Sequence, residues 1–312
     1  MGVEGASAFL RAPAKINLFL KVLGRRPDGY HELLSLMARL TLADEIRLEP
    51  FAGGRDEFSF DYAGPGQPDP AFVGDNLVLR ALQALRAEKP ELGFFRVHIQ
   101  KNIPLAAGLG GGSSDAATIL RHLGPLLGLE PGRLRALALA LGSDVPFFLG
   151  PPLALVRGRG EILSPWPGAV TGELILVNPG IALPTGRVFQ KLALTKGQEN
   201  NNLGPDFRSR PDLLPLGQND LLAPALDLVP ALGEVQATVA GLGSLAFGLS
   251  GSGPTFWALF GEAAAARRAW RELETKPWWS VQIGLDLSDR LGADRWPAMD
   301  FEPKIDGASS SG

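Results

Sequence analysis

From residue 12 to residue 23 polar and apolar positions alternate: Ile16, Leu18, Leu20 and Val22 fall on one side, Lys15, Asn17, Phe19 and Lys21 on the other. This is the period-two pattern of a half-buried strand, and it sets Lys15 beside Asn17 on one face. Arg25-Arg26-Pro27-Asp28-Gly29 has turn chemistry, and Tyr30-His31-Glu32 then lead into an apolar segment over 33–42. Residues 45–50 and 58–62 read as strands joined by the Gly53-Gly54 turn, and the Gly/Pro-rich 64–70 as a loop. Apolar residues at helical spacing predict a helix over 76–89, ended by Pro90.

A short strand over 95–100 runs through Lys101, Asn102 and Ile103 into Pro104-Leu105-Ala106-Ala107-Gly108-Leu109-Gly110-Gly111-Gly112-Ser113-Ser114. Glycine lets the backbone approach a ligand with no Cβ in the way, at an entropic cost that a plain connector has little reason to bear. The Ala/Leu-rich run that follows predicts a helix with Ser113 or Ser114 as its N-cap. A helix N-terminus with free N–H groups favours an anion, and phosphate suits it. The same residues also fit a turn that merely caps a core helix.

Pro131 suits the first turn of a helix over 131–141, which Gly142-Ser143-Asp144-Val145-Pro146 breaks. Residues 147–156 are apolar, and the basic turn Arg157-Gly158-Arg159-Gly160 ends the first half. The second half predicts a strand over 173–177, a polar excursion over 196–215 and a helix from Leu221 capped by Asn219-Asp220. A strand over 246–249 enters a second glycine loop, Ser250-Gly251-Ser252-Gly253-Pro254, before a strand over 255–260, a helix over 262–273 and a strand over 279–285. Strands and helices mix without strict alternation, which predicts an α+β fold. Two units are expected, 1–159 and 160–298, with 299–312 a disordered tail.

Composition narrows the functions. At 45% hydrophobic and 20% charged residues with a net charge of −3, the chain has no broad basic surface, so nucleic acid is not an expected partner. It has no cysteine, which removes disulfides, thiolate catalysis and Cys-ligated metal together. His31, His98 and His122 are too scattered for a His-rich zinc site. No apolar run reaches the ~18 residues of a membrane span, and residues 1–5 do not begin a signal peptide, so no membrane association and a cytoplasmic location are expected.

Several phosphate loops can be set aside. No lysine follows Gly112 as a Walker loop requires, the H-R-D and D-F-G signatures of protein kinases are absent, and the dinucleotide pattern is spoiled by Ser113. Taken in order, Pro13-Ala14-Lys15-Ile16-Asn17-Leu18, the 104–114 loop and Ser250-Gly251-Ser252-Gly253-Pro254 resemble the three motifs of the GHMP kinases, the superfamily of galactokinase, homoserine kinase, mevalonate kinase and phosphomevalonate kinase. Within it, Asp28-Gly29-Tyr30-His31, Gly142-Ser143-Asp144-Val145-Pro146-Phe147 and Asn219-Asp220-Leu221 resemble the 4-diphosphocytidyl-2-C-methyl-D-erythritol kinases, and the likeness spans residues 9 to 290.

The resemblance implies a two-domain α+β fold, with a left-handed βαβ crossover in the first domain and a ferredoxin-like second domain. It implies transfer of the ATP γ-phosphoryl group, with Mg²⁺, to the tertiary hydroxyl at position 2 of the methylerythritol unit. Asp144 would take the hydroxyl proton and Lys15 would stabilise the charge around it; without the family, Asp144 reads as a turn cap and Lys15 as a solvated strand lysine. On the substrate side the resemblance implies Asn17, Tyr30, His31, Thr185 and Phe189, His31 bonding the cytosine edge and Tyr30 or Phe189 stacking on the ring. It brings Asn76 and Lys101 near adenine and Ser114 near Mg²⁺, with no second protein ligand assigned to the metal. The alternatives are a GHMP kinase of the mevalonate or homoserine type, or a non-catalytic nucleotide-binding module.

Overall fold

The computed structural model describes residues 7–62, 64–65, 76–192 and 214–287. The first strand extends over Ala8–Arg25 (β1) and pairs antiparallel with His31–Phe51 (β2). β2 merges the two segments expected at 33–42 and 45–50. Asp44, at their junction, does not interrupt it, because its carboxylate pairs with Lys101 and accepts the N–H groups of Asn102 at 2.7 Å and Ile103 at 2.8 Å. A polar group survives burial where its bonds are met.

The alternation in β1 predicts one face in water, yet residues 12–20 are all buried. Ala14, Ile16 and Leu18 enter a core. Lys15 and Asn17 turn instead toward the two glycine loops. A register shift between Pro13 and Lys15 fits a residue that has no N–H to give the ladder.

Glu57–Tyr62 (β3), Leu77–Glu88 (α1) and Phe94–Lys101 (β4) form a βαβ unit, β3 and β4 being parallel. β2 pairs with β4 at one end and with Leu153–Gly158 (β5) at the other, and Ile162–Pro165 (β6) completes the sheet. Val78, Leu82 and Leu85 of α1 stand at helical spacing on one face. With Ile119 and Leu123 of Gly111–Leu126 (α2) and Leu134 of Pro131–Leu141 (α3), they cover Ile46, Leu48, Val97 and Ile99 of the sheet. Each such side chain contributes about 1.5–3 kcal/mol on full burial. The boundary expected at 159/160 falls in the turn between β5 and β6, so the first sheet runs on to Pro165. Gly160 makes this turn tight, not a linker: its φ is +133° and a Cβ there would lie 2.1 Å from the Ser143 carbonyl oxygen.

The second sheet takes Glu173–Asn178 (β7), Ala246–Leu249 (β8), Phe256–Phe260 (β9) and Trp279–Gly284 (β10) in the order β10-β7-β9-β8, all antiparallel. Thr185–Lys191 (α4), Leu222–Leu228 (α5) and Leu232–Ala240 (α6) lie between β7 and β8, and Ala263–Leu273 (α7) between β9 and β10. This is the ferredoxin-like β-α-β-β-α-β order. The two sheets share a core in which Ile16, Leu18 and Leu36 meet Leu174, Leu176 and Trp257. Across it the Trp257 indole N–H donates to the Asn17 carbonyl at 3.0 Å. Most of the 196–215 excursion, the end of the second unit and the tail expected at 299–312 lie outside the described residues.

Candidate active site

Between the two units lies a cavity of about 870 Å³ whose lining includes Lys15, Asn17, Asp144, His31, Thr185 and Phe189. Gly108, Gly110 and Ser113 of the glycine loop and Gly251 and Ser252 of the second loop also face it.

The glycine loop is fastened at alternate positions. Ala107 and Leu109 are buried in the core shared by the sheets, and the Leu109 carbonyl accepts the Lys15 N–H at 2.9 Å. Gly108 approaches the second loop so closely, at φ +74°, that a Cβ would lie 2.3 Å from the Ser250 carbonyl oxygen. Ser250 Oγ donates in return to the Gly108 carbonyl at 2.9 Å. Pro104, Ala107 and Leu109 thus anchor the loop, while Leu105 and Ala106 stand partly in solvent, Ala106 with φ +51°.

Neither serine is the N-cap. The helix starts at Gly111 behind Gly110, which is left-handed at φ 70°, and no side chain caps it. The first intrahelical bond runs from the Ser114 N–H to the Gly110 carbonyl at 2.8 Å. The N–H groups of Gly111, Gly112 and Ser113 therefore have no helical acceptor and form the anion cradle. Ser114 turns inward: it is fully buried and its Oγ has no partner. Among the described residues no three His, Cys, Asp or Glu side chains cluster to hold a metal.

At one end of the cavity Lys15 Nζ lies 3.4 Å from Asp144 Oδ2 and donates to Asn17 Oδ1 at 2.8 Å. Asn17 is fixed in this pose by its side-chain Nδ2–H, which donates to Ser35 Oγ at 2.8 Å. Lys15 is buried and the Asp144 side chain is 42% exposed. Asp144 follows α3, and its carboxylate accepts no hydrogen bond from the described residues, which sets aside the turn-cap reading. Arg39 holds the segment after it, donating to the carbonyls of Phe147 at 3.3 Å and Phe148 at 3.1 Å.

The other end is aromatic. The His31 and Phe189 rings stack with centroids 4.8 Å apart and planes 27° from parallel. Burial first, and the Arg25 charge second, hold the His31 imidazole below its ordinary pKa. Tyr30 is half exposed under the Arg159 guanidinium, and Thr185 Oγ1 bonds Ser252 Oγ at 2.8 Å.

Two expected nucleotide contacts are not brought to the cavity. Lys101 is wholly buried behind the loop, its Nζ paired with Asp44 and, at 2.7 Å, with Asp115. Burial opposes its ammonium, but Asp115 and Asp44 outweigh it and hold the pKa above the ordinary value. A lysine committed to two carboxylates has no free charge for adenine. Asn76 spends its Oδ1 capping α1 through the Val78 N–H at 2.8 Å. The sequence reading missed Asp44 and Asp115; an acid directly after Ser114 and a polar break in an apolar run were their only signals. The Asp115 carboxyl is pushed up to about 7, chiefly by burial, with Asp44 adding to the rise and Lys101 opposing it.

Profiles of the GHMP kinases N terminal domain and of the GHMP kinases C terminal domain match residues 76–150 and 205–276. The chain is 42% identical over 286 residues to a 4-diphosphocytidyl-2-C-methyl-D-erythritol kinase of Methylorubrum extorquens, covering 87% of this chain and 96% of that one. The chain belongs to the 4-diphosphocytidyl-2-C-methyl-D-erythritol kinase family. A kinase of this family from Geobacter sulfurreducens is 38% identical, with 88% of this chain and 97% of the relative covered. A crystal structure of a 4-(cytidine 5'-diphospho)-2C-methyl-D-erythritol kinase superposes with a TM-score of 0.69 at 36% identity, covering 89% of this chain and 99% of that one. As a kinase of this family the protein uses ATP. Among the described residues no helix is long and apolar enough to cross a membrane.

Proposed function

We propose that the cavity transfers the γ-phosphoryl group of ATP to the hydroxyl at position 2 of 4-diphosphocytidyl-2-C-methyl-D-erythritol, in the cytoplasm, where ATP is available. The observation that carries this reading is the 3.4 Å approach of Lys15 to Asp144 beside the N–H cradle of α2, in one cavity with the His31–Phe189 stack. Phosphoryl transfer depends on positioning and on neutralising charge more than on covalent chemistry. Asp144, half exposed and capping nothing, takes the proton from the hydroxyl as that oxygen bonds to the γ-phosphorus and the bond to ADP breaks. Lys15 holds the carboxylate in place and offsets charge on the moving group, while Asn17 keeps the ammonium aimed.

The N–H groups of residues 111–113 receive the nucleotide phosphates. Ser114 Oγ, buried and partnerless, is the protein oxygen that would hold Mg²⁺, whose charge would offset part of that of the phosphates. At the far end His31 bonds the cytosine edge, and Tyr30 and Phe189 offer faces for stacking. An aromatic wall fits a nucleobase better than it fits mevalonate or homoserine, and a mere nucleotide sensor needs no Lys15–Asp144 pair. The test is ADP release by the purified protein with Mg²⁺ and ATP, offered the CDP-bearing alcohol, mevalonate or homoserine in turn. Turnover of the first alone is expected; its absence overturns the reading.

A further inference from the structure

Three arginines gather where β1, β2 and the β5–β6 turn meet, and they differ in how far they are committed. Arg26 lies 2.8 Å from Glu32, 3.2 Å from Asp28 and 3.8 Å from Glu161, a guanidinium whose charge is used within the fold. Arg25 and Arg159 are in no ion pair among the described residues, and both line the cavity. Arg25 is the β-ladder partner of His31 and stands exposed at the end of β1. Arg159 lies 4.5 Å over the Tyr30 ring and is followed by Gly160, whose close approach to the Ser143 carbonyl ties this turn to the residue before Asp144. Arg25 thus stands beside the aromatic end, and Arg159, which spends one Nη2 bond on the Leu139 carbonyl at 3.4 Å and keeps its other donors, stands over Tyr30 on the wall shared with Ser143. In a chain with a net charge of −3, two unpaired arginines on one wall of a cavity call for an anion.

We propose that Arg25 and Arg159 form a diphosphate-reading subsite that grips the bridge between the nucleoside and the alcohol of the substrate. The proposal rests on the functional reading above and adds the wall that recognises the middle of the molecule. A diphosphate carries its charge on oxygens that a planar guanidinium can bind in pairs, through short charge-assisted bonds. Stacking Arg159 on Tyr30 fixes the fork of donors and keeps the neighbouring ring in place, so one contact serves the base and the phosphates together.

Calorimetric titration with CDP, CMP and cytidine tests this on the intact protein. The wild type should bind CDP more tightly than cytidine. Arg25→Ala and Arg159→Ala should each weaken CDP by roughly tenfold, the scale of one charge-assisted hydrogen bond, with cytidine unchanged in Arg25→Ala and weakened far less than CDP in Arg159→Ala, where Tyr30 loses its support. Arg159→Lys, which keeps the charge, should retain part of the preference. In turnover, KM for the CDP-bearing alcohol should rise while KM for ATP stays. If CDP and cytidine weaken equally, the arginines only prop Tyr30 and the proposal is overturned; if neither weakens, it is overturned as well. Binding preference needs no phosphoryl transfer. A protein that turns over no alcohol yet shows arginine-dependent preference for CDP rejects the kinase reading alone, and turnover with an arginine-independent preference rejects this subsite alone.

Discussion

Lys15 Nζ approaches Asp144 Oδ2 to 3.4 Å, although one residue lies in the first strand and the other beyond the third helix. The lysine is buried and the acid half exposed, so the ammonium is held while the carboxylate can meet an incoming alcohol.

Asp144→Asn keeps the shape and removes the proton acceptor. We expect kcat to fall by roughly 10²–10⁴-fold, the usual worth of a positioned base, with ATP affinity unchanged. Steady-state kinetics beside nucleotide binding measure both, and unaltered turnover would refute the role.

His31→Ala and Phe189→Ala break the stack at the far end. Each should raise KM for the CDP-bearing alcohol far more than KM for ATP, since aromatic stacking on a base is worth about 1–3 kcal/mol. His31 titrates below its ordinary value. It is therefore neutral at pH 7, and KM for the alcohol should hold steady from pH 7 to 8, changing only on acidification below pH 6.5. Equal rises in both KM values would place these rings elsewhere than at the base.

Gly108→Ala should part the two glycine loops, because a Cβ has no room against the Ser250 carbonyl and the backbone is left-handed there. Strain of this kind costs about 1–3 kcal/mol. A lower melting temperature together with a raised KM for ATP is expected, and a variant with wild-type values for both would contradict the close approach.

Asp115 gives a stability signature. Its carboxyl moves from 3.8 to about 7 on folding. Between these values the folded protein keeps a proton that the unfolded chain has lost, so stability falls as pH rises from about 4 to 7 and levels off above. Urea midpoints over that range should show this decline in the wild type. Asp115→Asn should flatten it; parallel profiles would mean that Asp115 does not titrate there.

The sequence pattern gave most elements almost to the residue, α3 at Pro131–Leu141 among them, because periodicity and proline placement are local signals. The pattern did not mark β6, α4 or α6, and it put the N-cap of α2 at a serine where Gly110 stands; the other failures depended on distant partners. β2 could not be read as one strand because the lysine that satisfies Asp44 comes from β4. Lys101 resembled a nucleotide contact for the same reason: a cation flanking a glycine loop looks free until two buried acids close on it. Lys15 and Asp144 carried no pattern that joined them, and only the ordered motifs brought them together. Arg25 and Arg159 passed as ordinary turn residues, since nothing local separates them from the committed Arg26.

The seam between the sheets has a consequence for how the molecule comes apart. β1 gives Ile16 and Leu18 to that seam and Lys15 and Asn17 to the cavity, and Trp257 is bonded to the same strand. Neither half can be melted or excised without stripping apolar surface from the other. Denaturation should therefore run as one cooperative transition in which activity and tertiary signal vanish at the same denaturant concentration, and separately expressed halves should aggregate unless produced together.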